Sequence, residues 1–218
     1  MDGATRSTAL RQMGLPHMLV QVFTAESEGL QLNTWSHIIR QLEKDDLMQM
    51  LNDLPEIELI ASDMESVTEA QLEYGSLCTL HFIDGEVFLV QAKTGVNRLE
   101  AQNILTTTYI DAGLISRALT QNIRQIQHEY EDMIALVVFP KYEVEQVIQL
   151  AQAGRRLPAG ITRFIVPGRV LRVNIRLSVL KSDQSLRDKN RWLQEYLIDR
   201  QREGRIRYYA EPVYLLDE

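Results

Sequence analysis

The sequence predicts an α/β or α+β fold, in which a mixed β-sheet with flanking helices is followed by a smaller C-terminal α+β element. Two observations support this prediction. Apolar residues at helical spacing alternate along the chain with short apolar runs that are typical of strands. An Asp-Gly dipeptide at residues 84–85 separates two of those runs and favours the tight turn of a β-hairpin. The chain has 218 residues, 45% apolar and 24% charged, which is the composition of a globular protein.

Helices and strands are predicted to alternate through the first two thirds of the chain. Ser66 and Glu69 have the spacing of a capping box, which predicts a short helix that ends before Gly75. The continuous apolar run at 134–139 is typical of a strand buried on both faces. Periodicity predicts further helices at 34–54, 96–109 and 111–133, and further strands at 19–24, 57–62, 77–83 and 86–93.

The last third of the chain is richer in glycine, proline and arginine. One helix is predicted to end at Gly154, where glycine suits a left-handed cap, and another to run from Ser185 to Gly204. We predict three parts: an N-terminal arm at 1–18, an α/β core domain at 19–153 and a basic C-terminal α+β subdomain at 154–218. The elements expected beyond residue 140 are helices at 142–153 and 185–204, strands at 161–166 and 169–177, and extended segments at 205–209 and 213–216.

Composition also indicates the compartment and excludes several kinds of site. The single cysteine, Cys78, permits no disulfide within the chain, which is typical of a reducing cytoplasm. The sequence has neither an apolar run long enough to span a membrane nor a secretory signal, and we predict a cytoplasmic protein without a membrane partner. The four histidines lack zinc-site spacing, and the Walker A sequence of P-loop NTPases is missing.

Charge is unevenly distributed along the chain. The net charge is −7, yet residues 153–207 hold 14 Lys and Arg against 5 Asp and Glu. Within the strand predicted at 169–177, Arg172, Asn174 and Arg176 alternate with apolar residues, so the arginines are expected on the solvent side. Arg205, Arg207 and Tyr209 repeat the pattern on a later segment. If the two segments are neighbours, they form a basic sheet face.

This face provides the leading functional hypothesis. Guanidinium groups suit phosphate and carboxylate partners, and a tyrosine ring can stack on a base. We therefore predict a non-enzymatic binding module without a cofactor, whose partner is anionic, either nucleic acid or an acidic protein surface. The residues expected to contact this partner are Arg155, Arg156, Arg163, Arg172, Arg176, Arg205, Arg207 and Tyr209.

A second hypothesis concerns the end of the predicted hairpin, where Gln91-Ala92-Lys93 closes the second strand. This triplet, with the order helix, strand, hairpin, helices and strand, resembles the PD-(D/E)xK nuclease superfamily over about half of the chain. The resemblance implies a phosphodiester hydrolase that uses Mg²⁺, with Asp63, Gln91 and Lys93 as catalytic residues.

The predicted hairpin register indicates a degenerate form of such a nuclease. With a two-residue turn at 84–85, Cys78 lies opposite Gln91 and Ser76 lies opposite Lys93, so no carboxylate shares their face. A third hypothesis is a subunit of an oligomer or larger assembly, whose basic face contacts another protein.

Overall fold

A computed structural model of the chain describes residues 3–63, 67 and 76–209. They belong to two compact units. The first, here the sheet unit, is Gly29–Ile165, and the second, here the terminal unit, combines Met1–Glu28 with Val166–Glu218. The two units meet at residues 28–29 and 165–166. The domain boundaries predicted at residues 18 and 153 stay a prediction.

The sheet unit contains a six-stranded antiparallel sheet with the order β3-β5-β4-β7-β2-β6, and a separate pair formed by β1 and β8. This architecture confirms the predicted sheet with flanking helices. The strands are β1 Gln31–Thr34, β2 Ser36–Arg40, β3 Ile57–Ser62, β4 Ser76–Phe82, β5 Val87–Ala92, β6 Leu114–Ala118, β7 Met133–Val138 and β8 Thr162–Ile165. The described helices are α1 Ala4–Gln12, α2 Lys44–Asn52, α3 Arg98–Ala112, α4 Ile123–Glu129, α5 Val144–Gln152, α6 Leu177–Lys181 and α7 Leu186–Arg202.

Two hydrophobic clusters form the core. In the larger one, α2 contributes Leu47 and Leu51 and α3 contributes Leu105 and Tyr109, which join apolar side chains of the strands. The smaller one includes Ile38 of β2, Ile126 of α4 and Leu136 of β7. Because neighbouring residues of a strand point to opposite faces, Ile38 and Ile39 enter different clusters, and both are fully buried.

Two predicted helices are wrong in part, because each contains a strand. The prediction at 34–54 covers β2 and α2, and the prediction at 111–133 covers β6 and α4. β2 lies between β7 and β6 in the sheet and is buried along almost its whole length. A strand with both faces buried has no polar alternation, so a short apolar stretch of this kind cannot be told from a helix by periodicity.

The hairpin is confirmed, but its predicted register is wrong by one residue. The Phe82 amide donates to the Glu86 carbonyl at 2.9 Å, so three residues, 83–85, lie in the loop. Within the loop, Gly85 adopts the left-handed conformation at φ 95°. Cys78 therefore lies opposite Val90, and Ser76 lies opposite Gln91 after an irregularity in β4. A one-residue shift changes which side chains share a face.

The arginine-bearing strand predicted at 169–177 is wrong. Arg172 and Asn174 adopt φ values of 56° and 52°, which interrupt an extended backbone, and residues 177–181 form α6. Residues 19–24 and 205–209 also form no strand, and the predicted N-terminal arm contains α1. α7 begins as predicted, with the Ser185 hydroxyl accepting from the Asp188 amide. The helix expected from Ser66 and the segment at 213–216 lie outside the described residues, apart from Val67.

Candidate functional site

At the corner between β5 and α3, a solvent-exposed turn lies next to charged side chains. Residues 93–96 form a turn closed by the Val96 amide, which donates to the Lys93 carbonyl at 3.0 Å. Gly95 has φ 84°, a left-handed value that favours glycine, and a Cβ placed there would meet no atom within 4 Å. Lys93, Thr94 and Gly95 are all exposed. The backbone of this turn is therefore accessible to a ligand.

Helix α3 begins at this turn. The Asn97 side chain caps it by accepting hydrogen bonds from the amides of Leu99 at 3.1 Å and Glu100 at 3.2 Å. The first turn of a helix carries partial positive charge, and Arg98 adds a full one at the same place. A positive helix terminus and an exposed arginine next to an accessible turn suit a phosphate or carboxylate group.

Hydrogen bonds to β4 and to Tyr142 hold the start of α3 in position. Arg98 Nη2 donates to the Ser76 carbonyl at 2.7 Å, and Gln102 Nε2 donates to the Leu77 carbonyl at 3.1 Å. The Tyr142 hydroxyl donates to Gln102 Oε1 at 2.7 Å, and burial raises the pKa of Tyr142. The helix terminus is thus fixed against the sheet by partly buried and buried polar contacts.

Two glutamates lie at the same end of the sheet. The Glu56 carbonyl accepts from the Lys93 amide at 2.9 Å, and Glu58 lies directly opposite Gln91. Glu56 Oε2 is the one buried side-chain oxygen or nitrogen without a hydrogen-bond partner among the residues that the structure describes. The corner, defined as Glu56, Glu58 and residues 93–98, therefore brings two acidic and two basic residues to one end of the β3–β5 pair.

The described residues contain no cluster of three or more His, Cys, Asp and Glu that could hold a metal ion. Mg²⁺ in phosphoryl-transfer sites is usually bound through one or two carboxylates together with substrate phosphates and water. The carboxylates of Glu56 and Glu58 are of the type required for such partial coordination.

A second polar group, around His37, is structural in character. His37 is 1% exposed, and its Nδ1 lies 2.8 Å from the Tyr109 hydroxyl while its Nε2 lies 3.0 Å from the Gly160 carbonyl. Since a carbonyl only accepts, Nε2 donates to Gly160 and Nδ1 accepts from Tyr109. Burial, assisted by the positive charge of Arg117, lowers the pKa of His37. The ring is therefore a neutral bridge within the core.

Comparison with known proteins identifies relatives with a similar fold. No protein-family model matches it. Over its full 218 residues the chain is 24% identical to the ATP-dependent L-serine kinase SbnI of Staphylococcus aureus, of which the alignment covers 78%. A structure of that protein with a C-terminal truncation matches 92% of this chain and 76% of its own with a TM-score of 0.67 and 20% identity. A free serine kinase in complex with AMP matches 77% of this chain and 67% of its own with a TM-score of 0.62 and 18% identity.

The chain shares its fold with a free serine kinase. One relative is an ATP-dependent L-serine kinase and another is a free serine kinase in complex with AMP, and this finding contradicts four predictions made from the sequence. The resemblance to PD-(D/E)xK nucleases is wrong, as is the phosphodiester hydrolase that it implied. The non-enzymatic binding module without a cofactor is also wrong. The anionic macromolecular partner, whether nucleic acid or acidic protein, has no support among these relatives.

The structure does not bring the three residues of the nuclease hypothesis together. Asp63 follows Ser62, which lies opposite Val87 at the far end of β5 from Gln91. Four residues of strand separate those two positions, a distance of about 13 Å. Lys93 alone belongs to the corner described above.

The arginines of the basic-face hypothesis do not share a sheet. Arg155, Arg156 and Arg163 belong to the sheet unit, and the guanidinium carbon of Arg163 lies 5.1 Å from the centre of the Trp35 ring. The rest of the predicted set belongs to the terminal unit: Arg172, Arg176, Arg205, Arg207 and Tyr209. Arg205 pairs there with Glu203 at 3.2 Å.

Sequence reasoning missed most of the corner, namely Glu56, Gly95, Asn97 and Arg98. The sequence did contain a signal for Asn97. An asparagine immediately before an apolar-periodic run is a typical helix N-cap. Starting the predicted helix at residue 96 hid Asn97 inside it.

The Cys78 thiol is a buried core group, and we expect it to be unreactive in the folded protein. Cys78 is 1% exposed, and burial raises the pKa of its thiol, so almost no reactive thiolate forms near neutral pH. The rate at which a thiol reagent labels Cys78 can be measured by absorbance. This rate should equal the rate of unfolding and should increase when denaturant is added. Fast labelling of the native protein, independent of denaturant, would contradict this burial.

No helix among the described residues combines the length and apolar character needed to cross a lipid bilayer.

Proposed function

We propose that the chain is a kinase that transfers a phosphoryl group from ATP to the hydroxyl of free L-serine. The observation that carries this proposal is the alignment of the whole chain with an ATP-dependent L-serine kinase. ATP as the donor also agrees with the cytoplasmic location predicted from the sequence.

The β5–α3 corner has the groups that such a reaction requires. Phosphoryl transfer depends mainly on positioning and on stabilising negative charge at the phosphate oxygens. In the proposed site, the exposed turn at 93–96 binds phosphate through its backbone, and the positive end of the α3 dipole adds attraction for the same charge. Lys93 and Arg98 contribute positive charge, and Glu56 and Glu58 contribute carboxylates for Mg²⁺ or for the serine amino group. This assignment requires no Walker A sequence.

The proposed activity is tested by measuring ADP formation by the purified full-length chain with ATP and Mg²⁺. We expect ADP to form only when L-serine is added. L-Threonine and L-alanine serve as controls, since alanine lacks the hydroxyl and threonine adds a methyl group beside it. ADP formation that is the same with and without serine would indicate an ATPase. No ADP formation in the presence of serine would contradict the proposal.

A pair of glycine variants separates the role of the turn from its effect on folding. Gly95 and Gly154 have φ values of 84° and 71°, and a Cβ meets no atom within 4 Å at either position. Gly95→Ala and Gly154→Ala should therefore lower the free energy of unfolding by similar amounts, on the order of 1 kcal/mol. We expect only Gly95→Ala to raise the KM for ATP, because only that substitution lies in the proposed phosphate site. Equal kinase kinetics for both variants would remove the turn from the site.

A further inference from the structure

The segment that follows α5 comes close to the first turn of α3. Asn103 Nδ2 donates to the Leu99 carbonyl at 2.8 Å and to the Arg156 carbonyl at 3.2 Å. The two carbonyl oxygens are therefore no more than about 6 Å apart. Leu99 directly follows Arg98 in α3, at a rise of about 1.5 Å along the helix axis. The main chain of Arg156 therefore lies next to the β5–α3 corner.

Hydrogen bonds at both ends fix the position of this segment, residues 155–160. At its start, the Arg155 amide donates to a carbonyl of α5 at 2.8 Å. At its end, the Gly160 carbonyl accepts from Nε2 of the buried His37 at 3.0 Å. Because the main chain of Arg156 is held in place before a ligand binds, less conformational entropy is lost on binding.

The side chain of Arg156 is exposed and pairs with no carboxylate of the residues that the structure describes. This holds although the sheet unit has 19 Asp and Glu against 10 Lys and Arg. Glu100 is the acidic residue in the first turn of α3, and no ion pair joins it to Arg156. Together with Lys93 and Arg98, Arg156 brings the basic residues near the start of α3 to three. Basic residues gathered at one exposed place attract an anionic ligand.

We propose that Arg156 is a further substrate-binding residue, whose guanidinium binds an oxyanion of a small-molecule substrate at the β5–α3 corner. This oxyanion is either a phosphate group of the nucleotide or the carboxylate of L-serine. The inference rests on the proposed kinase function, which supplies both ligands. Phosphate and carboxylate present the same chemistry to arginine, since the planar guanidinium donates two parallel hydrogen bonds to a pair of oxygens. Asn103 is a positioning residue, because it ties the main chain of Arg156 to α3.

Steady-state kinetics of the full-length chain, with ATP and L-serine varied in turn, tests the proposal. We expect Arg156→Ala to raise the KM for one of the two substrates by about tenfold or more, the loss expected for a hydrogen bond to a charged group. A higher KM for ATP assigns the guanidinium to phosphate, and a higher KM for L-serine assigns it to the carboxylate. Arg156→Lys should recover part of the loss, because lysine keeps the charge but lacks the planar fork of donors. Asn103→Ala should raise the same KM by a smaller factor.

Arg124→Ala is the matched control, since Arg124 is also an exposed arginine of the sheet unit but lies on α4. It should leave both KM values unchanged. The midpoint of urea unfolding should be the same for wild type, Arg124→Ala and Arg156→Ala, because both side chains are exposed. Unchanged KM values in Arg156→Ala, or equal increases in the two variants, would overturn the proposal.

Binding measured without turnover separates this inference from the proposed function. If the wild-type chain does not phosphorylate L-serine, the kinase proposal fails, and calorimetric titrations with ADP and with L-serine decide the role of Arg156. Weaker binding of either ligand by Arg156→Ala, but not by Arg124→Ala, would support that role. Unchanged binding of both ligands, or no binding of either by wild type, would overturn it.

Discussion

Arg98→Ala should lower kcat/KM for ATP-dependent phosphorylation of L-serine by about 100-fold or more. The expected size is that of removing one preorganised charged donor from a site where negative charge develops. Arg98 stands at the first position of α3, exposed, with one of its N–H groups bound to the Ser76 carbonyl at 2.7 Å. Arg98→Lys should recover only part of the activity, because lysine keeps the charge but lacks the planar fork of donors. Steady-state kinetics with varied ATP measures both effects.

Helix α4 provides matched controls for the start of α3. Arg124 lies exposed in the first turn of α4, and Asn122 caps that helix by accepting from the Gln125 amide at 3.2 Å. Asn97→Ala and Asn122→Ala should each destabilise the protein by about 1 kcal/mol through loss of a cap. Only the α3 substitutions should impair phosphoryl transfer. Full activity in Arg98→Ala, or equal losses in Arg98→Ala and Arg124→Ala, would contradict the assigned site.

His37→Leu should lower the free energy of unfolding by roughly 2–4 kcal/mol. The substitution leaves the buried Tyr109 hydroxyl and the Gly160 carbonyl without their partner, and each orphaned group costs about 1–3 kcal/mol. Tyr109→Phe removes only one of these bonds and should cost about 1 kcal/mol. Urea titration of the full-length chain measures both losses.

Acidification should reveal the same network. Burial lowers the folded-state pKa of His37 and of His81, which lies 2.7 Å from the Thr79 hydroxyl. Below the ordinary histidine pKa of 6.5, the unfolded chain binds protons that these two rings do not bind in the folded protein. Stability should therefore be fully present above pH 6.5 and fall as the pH decreases toward the lowered values, by up to about 1.4 kcal/mol per pH unit for each ring.

The histidine prediction has an exposed control in the same unit. His128 lies on the surface of α4, and His128→Leu should change stability by less than about 0.5 kcal/mol. His37→Leu should also flatten the dependence of stability on pH below 6.5, because it removes a ring whose pKa is lowered by burial. An unchanged pH dependence in His37→Leu would show that His37 is not the buried neutral group described here.

Local patterning predicted the hairpin strands and most helix positions, but not the pairing register. The dipeptide at 84–85 is compatible with a two-residue turn and with a three-residue loop that has glycine in the left-handed conformation. The observed loop is the second kind, with Gly85 at φ 95°. Choosing between them requires knowledge of which side chains are buried on each face. Local sequence does not contain this information, because burial depends on the tertiary structure. Thr79 and Leu89, which lie opposite each other, are both buried in the complete sheet.

Lys93 was the only residue of the candidate site that was predicted, although the position of Asn97 is also typical of a helix N-cap. Sequence spacing correctly predicted that this lysine lies at the end of a strand. The other residues of the corner come from different segments, and which segments are neighbours depends on the order of strands in the sheet. Glu56 and Glu58 approach because β3 pairs with β5 rather than with β4. The basic face failed for a different reason, since nothing in the alternation around Arg172 and Asn174 indicates that both adopt positive φ.

Phosphorus-31 NMR of the wild-type chain with ATP, Mg²⁺ and L-serine tests the proposed function most directly, because it identifies the bond that forms. We expect the γ-phosphate signal of ATP to decrease while a phosphomonoester signal, coupled to the serine methylene protons, increases by the same amount. Release of inorganic phosphate alone, or an unchanged spectrum with folded protein at millimolar ATP and L-serine, would contradict the assignment of the chain as a serine kinase.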